Sequence, residues 1–258
     1  MQNSNWPQIS VCVITHNEEK NLALCLESVK GCGEIIVVDS GSIDGTQKIA
    51  EYYGARWVTK PWRGFAQQRP EAEKLATKSF VLFLDADEEV SEELYREISV
   101  LLQHPQAEHR IYFLLRKSEF LEKRICYGDW KKDWVARLAP RGKTQWEGRE
   151  PHPYLKSESL AAYLCQNLLF HRPYENLSVF VQKIELYARV WAKEAFQAGE
   201  KGGKAKGFFR AVWRWVRGYI FKCGFLDGYA GWLIAKQNAR MVWLKYLFLS
   251  ELYRKAHS

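Results

Sequence analysis

The sequence predicts an α/β fold built on a parallel sheet, and three observations carry that expectation. Strand-like and helix-like stretches alternate from Ile9 to Gln103, the spacing of βαβ units. The apolar runs are continuous rather than alternating, as in strands covered on both faces. Each run also stops at acids or caps, which places a row of polar groups along one edge of the sheet, where ligands of open α/β folds bind.

The first strand is expected from Ile9 to Thr15, ending at His16, Asn17, Glu18 and Glu19. Asn17 is a candidate cap for a helix whose stripe is Leu22, Cys25, Leu26 and Val29, closed by Gly31 and Gly33. A second strand from Glu34 to Val38 runs into the polar loop Asp39–Thr46 and a short helix ending near Gly54, and Ala55 to Thr59 reads as a third strand. Pro70 suits the first turn of a helix continuing to Thr77, because its missing N–H is harmless there. The run from Phe80 to Leu84 is the central strand, ending at Asp85 and Asp87. Ser91, Glu92 and Glu93 supply the cap and first-turn charge of a helix from Glu92 to Gln103, so the two aspartates are not needed for that role. Hard oxygen donors one residue apart suit a divalent cation that also touches phosphate.

Composition narrows the partner. The 258-residue chain carries a net charge of +8, which points to an anionic partner such as nucleic acid, anionic lipid or a phosphorylated substrate. Six cysteines show neither a Cys-x-x-Cys pair nor zinc-ligand spacing, so reduced thiols and a cytosolic compartment are expected. Neither a secretory signal nor a spanning helix is expected, and the Gly-rich dinucleotide and Walker patterns are missing. Acids gathered on one edge repel unless a cation or hydrogen-bond donors sit among them; a nucleotide and a metal supply both.

Three stretches in this order, ISVCVITHNEEKNLALCLESV, EIIVVDSGSIDGT and FVLFLDADE, resemble the nucleotide-binding half of family 2 glycosyltransferases of the GT-A fold. GFAQQR, YGDWKKDWVARLAPRGKTQWEGR, HRPYENL and GFLDGYAG extend the likeness to a bacterial branch that adds a β-linked glucose to a heptose of the lipopolysaccharide inner core. The resemblance implies a mixed sheet flanked by helices, a UDP-sugar donor, a lipid-anchored glycan acceptor and a Mg2+ or Mn2+ ion. It implies uracil contacts by Glu18 and Asp39, with Asp44 near the ribose and Thr15, Asn17 and Ser42 in the same nucleotide-sugar set. Asp85 would face the ribose or the metal, Asp87 would be the direct ligand, His171 would complete the metal site, and Arg69 would reach the diphosphate. An acceptor that is instead a polyprenyl phosphate or another surface glycan is the alternative, and a degenerate nucleotide-sugar-binding protein is a second.

The catalytic base departs from the family pattern. An inverting transfer needs a group that takes the acceptor proton. Pro153 stands where relatives carry Glu, and Pro70 where they carry Asn. Glu150 is the first candidate and His152 the second, with Asp129 and Glu147 behind them. Trp130, Trp134 and Trp146 are candidates either for stacking on sugars or for core packing.

The expected organisation is a nucleotide-sugar half over residues 1–105, an acceptor half over 106–173 and a helical region over 174–258. Shorter strands are expected from Ile111 to Arg116, from Trp134 to Leu138 and near Tyr154 to Leu164, then helix from Glu175, a linker at Gly199 to Gly207, and one or two helices from Gly224 to Tyr253. Between Lys201 and Leu226 there are seven basic residues and no acidic one. Arg210, Arg214 and Arg217 share a helical face beside Trp213, a pattern that suits an anionic membrane surface. No nucleic-acid-binding motif accompanies it, so nucleic acid is not expected. The resulting picture is a cytoplasmic protein, peripheral on the inner face of the inner membrane, with self-association through the last segment left open.

Overall fold

The computed structural model describes residues 6–131, 133–148, 150, 153–174, 176–200 and 202–256. The chain gathers into two compact units. The first takes the described residues of Met1–Arg116, Asp133–Gly148 and His152–Arg172; the second takes those of Lys117–Lys132, Arg149–Pro151 and Pro173–Ser258.

The first unit opens with β1 (Trp6–Thr15), α1 (Leu22–Ser28), β2 (Cys32–Asp39), α2 (Thr46–Tyr52), β3 (Arg56–Thr59), α3 (Phe65–Glu73) and β4 (Phe80–Asp85). β5 (Glu88–Val90), α4 (Glu92–Leu101) and β6 (Arg110–Phe120) follow; after β7 (Lys123–Arg124), which belongs to the second unit, come β8 (Asp133–Pro140), β9 (Gln145–Glu147), β10 (Tyr154–Lys156) and β11 (Ala161–His171). Among the described residues nine strands form one sheet in the order β3-β2-β1-β4-β8-β6-β11-β5, with β7 on β6, while β9 and β10 pair separately.

The sheet is mixed. β3, β2, β1 and β4 run parallel, and β8 and β6 add antiparallel neighbours. Alternate residues of the central strands bury on opposite faces: Val11, Val13, Leu82 and Leu84 pack with α1 and α4, whereas Cys12, Val81 and Phe83 pack with Ala72 of α3. Both faces are covered, which is why the runs read as continuously apolar.

Several local expectations shift. Asn17 does not cap α1; its backbone is left-handed, with φ of 53°, and Asn21 precedes the helix. Pro70 lies inside α3, which begins five residues earlier at Phe65 after Gly64, so its ring is absorbed mid-helix rather than at the first turn. Gly64, with φ of 98°, makes the sharp entry that starts the helix early. The stretch near Tyr154 to Leu164 splits into β10 and the long β11. Ser91 caps α4 as expected, its hydroxyl accepting from the Leu94 amide at 3.1 Å.

Among the described residues the second unit holds three α-helices, α5 (Leu177–Gln197), α6 (Lys204–Val216) and α7 (Gly228–Ala256), with a π-type turn at Arg217–Phe221. Its core holds Phe120, Ile125, Phe180, Ile184, Leu233 and Ile234. Trp130 stacks beside Tyr174 and meets Phe120 and Phe180, so it packs this core. Glycines set the helix approaches: a Cβ at Gly207 would lie 2.5 Å from the Tyr246 Cβ, and one at Gly231 would lie 1.9 Å from the Gly224 carbonyl oxygen. Among the described residues no helix is long and apolar enough to cross a membrane.

Candidate active site

Strand register assembles the site. Thr15 pairs with Asp39 across β1 and β2, and Ile14 with Asp85 across β1 and β4, so three strand ends finish on one edge. The loops that leave this edge are stitched together. The Asn17 amide donates to the Ser42 hydroxyl at 2.8 Å, the Ile43 amide to Asn17 Oδ1 at 2.9 Å and the Glu18 amide to the Thr46 hydroxyl at 2.9 Å. The Gly45 amide donates to Glu19 Oε2 at 2.8 Å and the Glu19 amide to Asp44 Oδ2 at 3.3 Å. Of the expected nucleotide set, Thr15 and Asp39 therefore end their strands, and Asn17, Glu18, Ser42 and Asp44 lie in the braced pair of loops that leaves them.

Within the brace, Asp39 is buried and shapes its own turn. Its Oδ2 accepts from the amides of Gly41 and Ser42 at 2.7 and 2.8 Å, and its Oδ1 from the Ser42 hydroxyl. Burial works to raise the Asp44 pKa, but hydrogen bonds from the Thr46 hydroxyl and amide outweigh it and leave the carboxyl below its ordinary value. The Thr15 hydroxyl is buried at the strand end with no hydrogen-bond partner among the described residues.

A buried ion network lies beneath. Asp85 accepts from Arg69 Nη2 at 2.6 Å through Oδ1 and from Arg137 Nη2 at 2.7 Å through Oδ2. Arg137 also reaches Glu88 Oε1 at 2.6 Å, and Arg116 bridges Glu88, at 3.0 Å, to Asp133. Burial alone would raise the Asp85 pKa; the Arg137 and Arg69 charges reverse this and hold the carboxyl well below the usual carboxylate range. Arg69 stands over the Trp146 ring at 4.6 Å, and Trp146 meets Phe83 edge-on, so this tryptophan packs and supports the arginine. Arg69 and Asp85, expected separately at the diphosphate and at the ribose or metal, are thus partners of each other. The sequence reading overlooked Arg137, Arg116 and Glu88. A signal was present, since Arg137 interrupts the apolar strand Trp134–Pro140, and a charge at a buried strand position demands a partner.

Asp87 makes a different contact. β5 pairs antiparallel with the end of β11, setting His171 opposite Glu88, and the Arg172 amide donates to the Asp87 carbonyl at 2.9 Å. This ladder brings His171 Nε2 to 3.6 Å from Asp87 Oδ2, each side chain 14% exposed. Eighty-four positions apart in sequence, the two expected metal donors are neighbours. Among the described residues no cluster of three or more His, Cys, Asp or Glu is gathered for a metal. An imidazole and a carboxylate still fit a Mg2+ or Mn2+ ion that takes its remaining oxygens from phosphate and water.

Of the candidate bases, Asp129 is 5% exposed and ion-paired to Arg214, Arg217 and Lys222, at 2.9, 3.4 and 2.8 Å. Glu147 holds Lys156 at 3.2 Å through both oxygens. Both carboxylates are engaged by cations, so their oxygens are occupied rather than open to an acceptor hydroxyl. Glu150 is half-buried, and His152 lies outside the described residues. Of the arginines expected to share a helical face, Arg214 and Arg217 pair with Asp129, and the exposed Arg210 donates to the Tyr246 hydroxyl at 2.6 Å. Phe208, Phe209, Val212, Trp213, Ile220 and Phe221 of the same segment are exposed as well.

The glycosyl transferase family 2 model matches residues 10–148, which holds the braced loops, the Asp-x-Asp turn and the buried ion network. The chain belongs to glycosyl transferase family 2. This family 2 member is 27% identical over 264 residues to an uncharacterized glycosyltransferase of Rickettsia typhi, covering 97% of this chain and 89% of that one. It is 25% identical over 255 residues to the lipopolysaccharide core biosynthesis glycosyltransferase LpsC of Rhizobium meliloti, covering 92% and 93%. Among solved structures, S. aureus TarS 1-349 in complex with UDP-GlcNAc is 16% identical with a TM-score of 0.47, covering 96% of this chain and 92% of that one.

Proposed function

We propose that this family 2 member is an inverting, divalent-metal-dependent glycosyltransferase that moves a hexose, glucose, from a UDP-sugar to a heptose of the lipopolysaccharide inner core. The observation that carries the reading is the Asp87–His171 pair, set by the β5–β11 ladder beside the two braced loops. The LpsC likeness supports the acceptor class.

In this reading Thr15, Asn17, Glu18, Asp39, Ser42 and Asp44 hold the uridine, the braced loops removing the entropy cost of ordering it. Asp87 and His171 would hold a Mg2+ or Mn2+ ion, which supplies positive charge to the departing diphosphate. Arg69, kept rigid by Asp85 and Trp146, extends that positive field. Glu150 takes the proton of the acceptor hydroxyl, with His152 as the second candidate. The protein works at the cytoplasmic face of the inner membrane, where the exposed aromatic side of the 208–221 segment meets anionic lipid.

The test is transfer from radiolabelled UDP-glucose to purified heptose-terminated core. We expect Asp87→Ala to lose several kcal/mol of transition-state stabilisation, a fall in kcat of about a thousandfold, and EDTA to abolish transfer with recovery on adding Mn2+. Full activity in Asp87→Ala, or in chelator, refutes the assigned role.

A further inference from the structure

The second unit carries a cleft that no part of the transfer reading uses. It measures about 450 Å³ and lies among α5, α6 and α7, lined by Arg210, Arg214, Arg217 and Lys245 between the rings of Trp191 and Tyr246. From these four cations, the aromatic walls and the shortage of acid between them, we propose that the cleft is a binding site for a phosphate monoester on a sugar or lipid.

The charge balance motivates the site. One carboxylate, Asp129, is shared by Arg214, Arg217 and Lys222. Arg210 and Lys245 instead contact rings, Arg210 at 5.6 Å from the Tyr246 centroid and Lys245 at 5.4 Å from that of Trp191. Cations crowded on a partly apolar wall repel, and an anion placed among them relieves the repulsion. Lys245 registers that strain: burial first, and then the Arg214 charge, lower its pKa. Guanidinium forks match phosphate oxygens, and a dianionic monoester meets more of them than a diester does. The aromatic walls offer a face for a sugar ring.

Close helix packing makes the cleft a built feature. The small residues Gly207 and Ala211 lie buried on α6, and Gly207 admits the Tyr246 side chain at its Cα, which sets Arg210 and Arg214 around the mouth. Asp129 anchors Arg214 and Arg217 and thereby limits their freedom before any ligand arrives.

Tryptophan fluorescence of the full chain, titrated without donor, tests the proposal. Glucose 1-phosphate and inorganic phosphate are the soluble probes; vesicles of phosphatidylcholine with phosphatidic acid, or with phosphatidylglycerol at matched surface charge, are the lipid-borne ones. The expected result is saturable binding of a monoester probe that weakens about tenfold in Arg210→Gln and in Lys245→Gln, each checked for folding by circular dichroism, and is unchanged in Lys193→Gln. Saturation by glucose 1-phosphate identifies a soluble source, and preference for phosphatidic acid over phosphatidylglycerol identifies a lipid one. Absence of saturation by the soluble probes together with equal binding to both vesicle types overturns the proposal, as does an equal loss in Lys193→Gln.

Discussion

Arg137 is the residue on which the interior of the candidate active site depends. It is 4% exposed and spans Asp85 and Glu88, so removing it leaves Asp85 with Arg69, and the buried Glu88 with Arg116, as their remaining cations among the described residues. Arg137→Met should cost about 3–5 kcal/mol, the range for breaking one partner out of a buried charge network, measured by urea unfolding. The depressed pKa of Asp85 adds a pH signature. A carboxyl whose folded pKa lies below its unfolded value of about 3.9 stabilises the fold fully above that value and loses the contribution as pH falls toward the folded one. The stability gap between wild type and Asp85→Asn should therefore be flat from pH 7 to 5 and narrow below about pH 4. A gap that widens on acidification would contradict the assignment. Asp85 and Asp87 were visible in sequence as a pair of strand-end acids. Their division of labour was not, because it depends on which arginine reaches which oxygen.

At the scale of elements, β5 and the glycine contacts decide the geometry. Three residues, Glu88–Val90, form a strand only because β11 returns alongside them, and no local pattern in a Glu-Glu-Val triplet announces it. That pairing sets His171 against Asp87, which a sequence resemblance could align but not place. In the second unit the α7 start presses Gly231 onto the Gly224 carbonyl, leaving no room for a methyl group. Gly231→Ala should destabilise by about 2–3 kcal/mol in thermal or urea melts, whereas Gly203→Ala, where a Cβ meets open space, should stay within about 1 kcal/mol. Equal effects of the two would show that the close approach carries little energy. The same principle separates the misplaced Pro70 from the well-placed Ser91. A hydroxyl cap is a local hydrogen bond readable from neighbours, but where α3 begins is set by Gly64 and by the packing of Ala72.

For the whole molecule, the charge of +8 and the basic run were legible, whereas the direction in which they point was not. Helical periodicity groups Arg210, Arg214 and Arg217 on one face, yet a face alone does not say whether it turns to solvent or to Asp129. Phe209, at 71%, and Phe221, at 67%, are the most exposed apolar residues of the 208–221 segment, and each should contribute about 1.5–3 kcal/mol when buried in lipid. Phe209→Ser with Phe221→Ser should accordingly lower co-sedimentation with phosphatidylglycerol vesicles by at least about a hundredfold in partition constant while leaving UDP-glucose binding intact. Unchanged sedimentation would remove this surface from the membrane reading.

By itself the sequence determined the α/β class, the strand ends that carry the acids, the family and the helical close, because continuous apolar runs, caps and short motifs act within a few residues of one another. Only the tertiary structure decided that Asp85 belongs to Arg69 and Arg137, that His171 meets Asp87, and that the arginines of the basic helix line a cleft. Those contacts join groups tens to more than eighty positions apart, and their energies depend on distance and burial, which a linear order of residues does not contain.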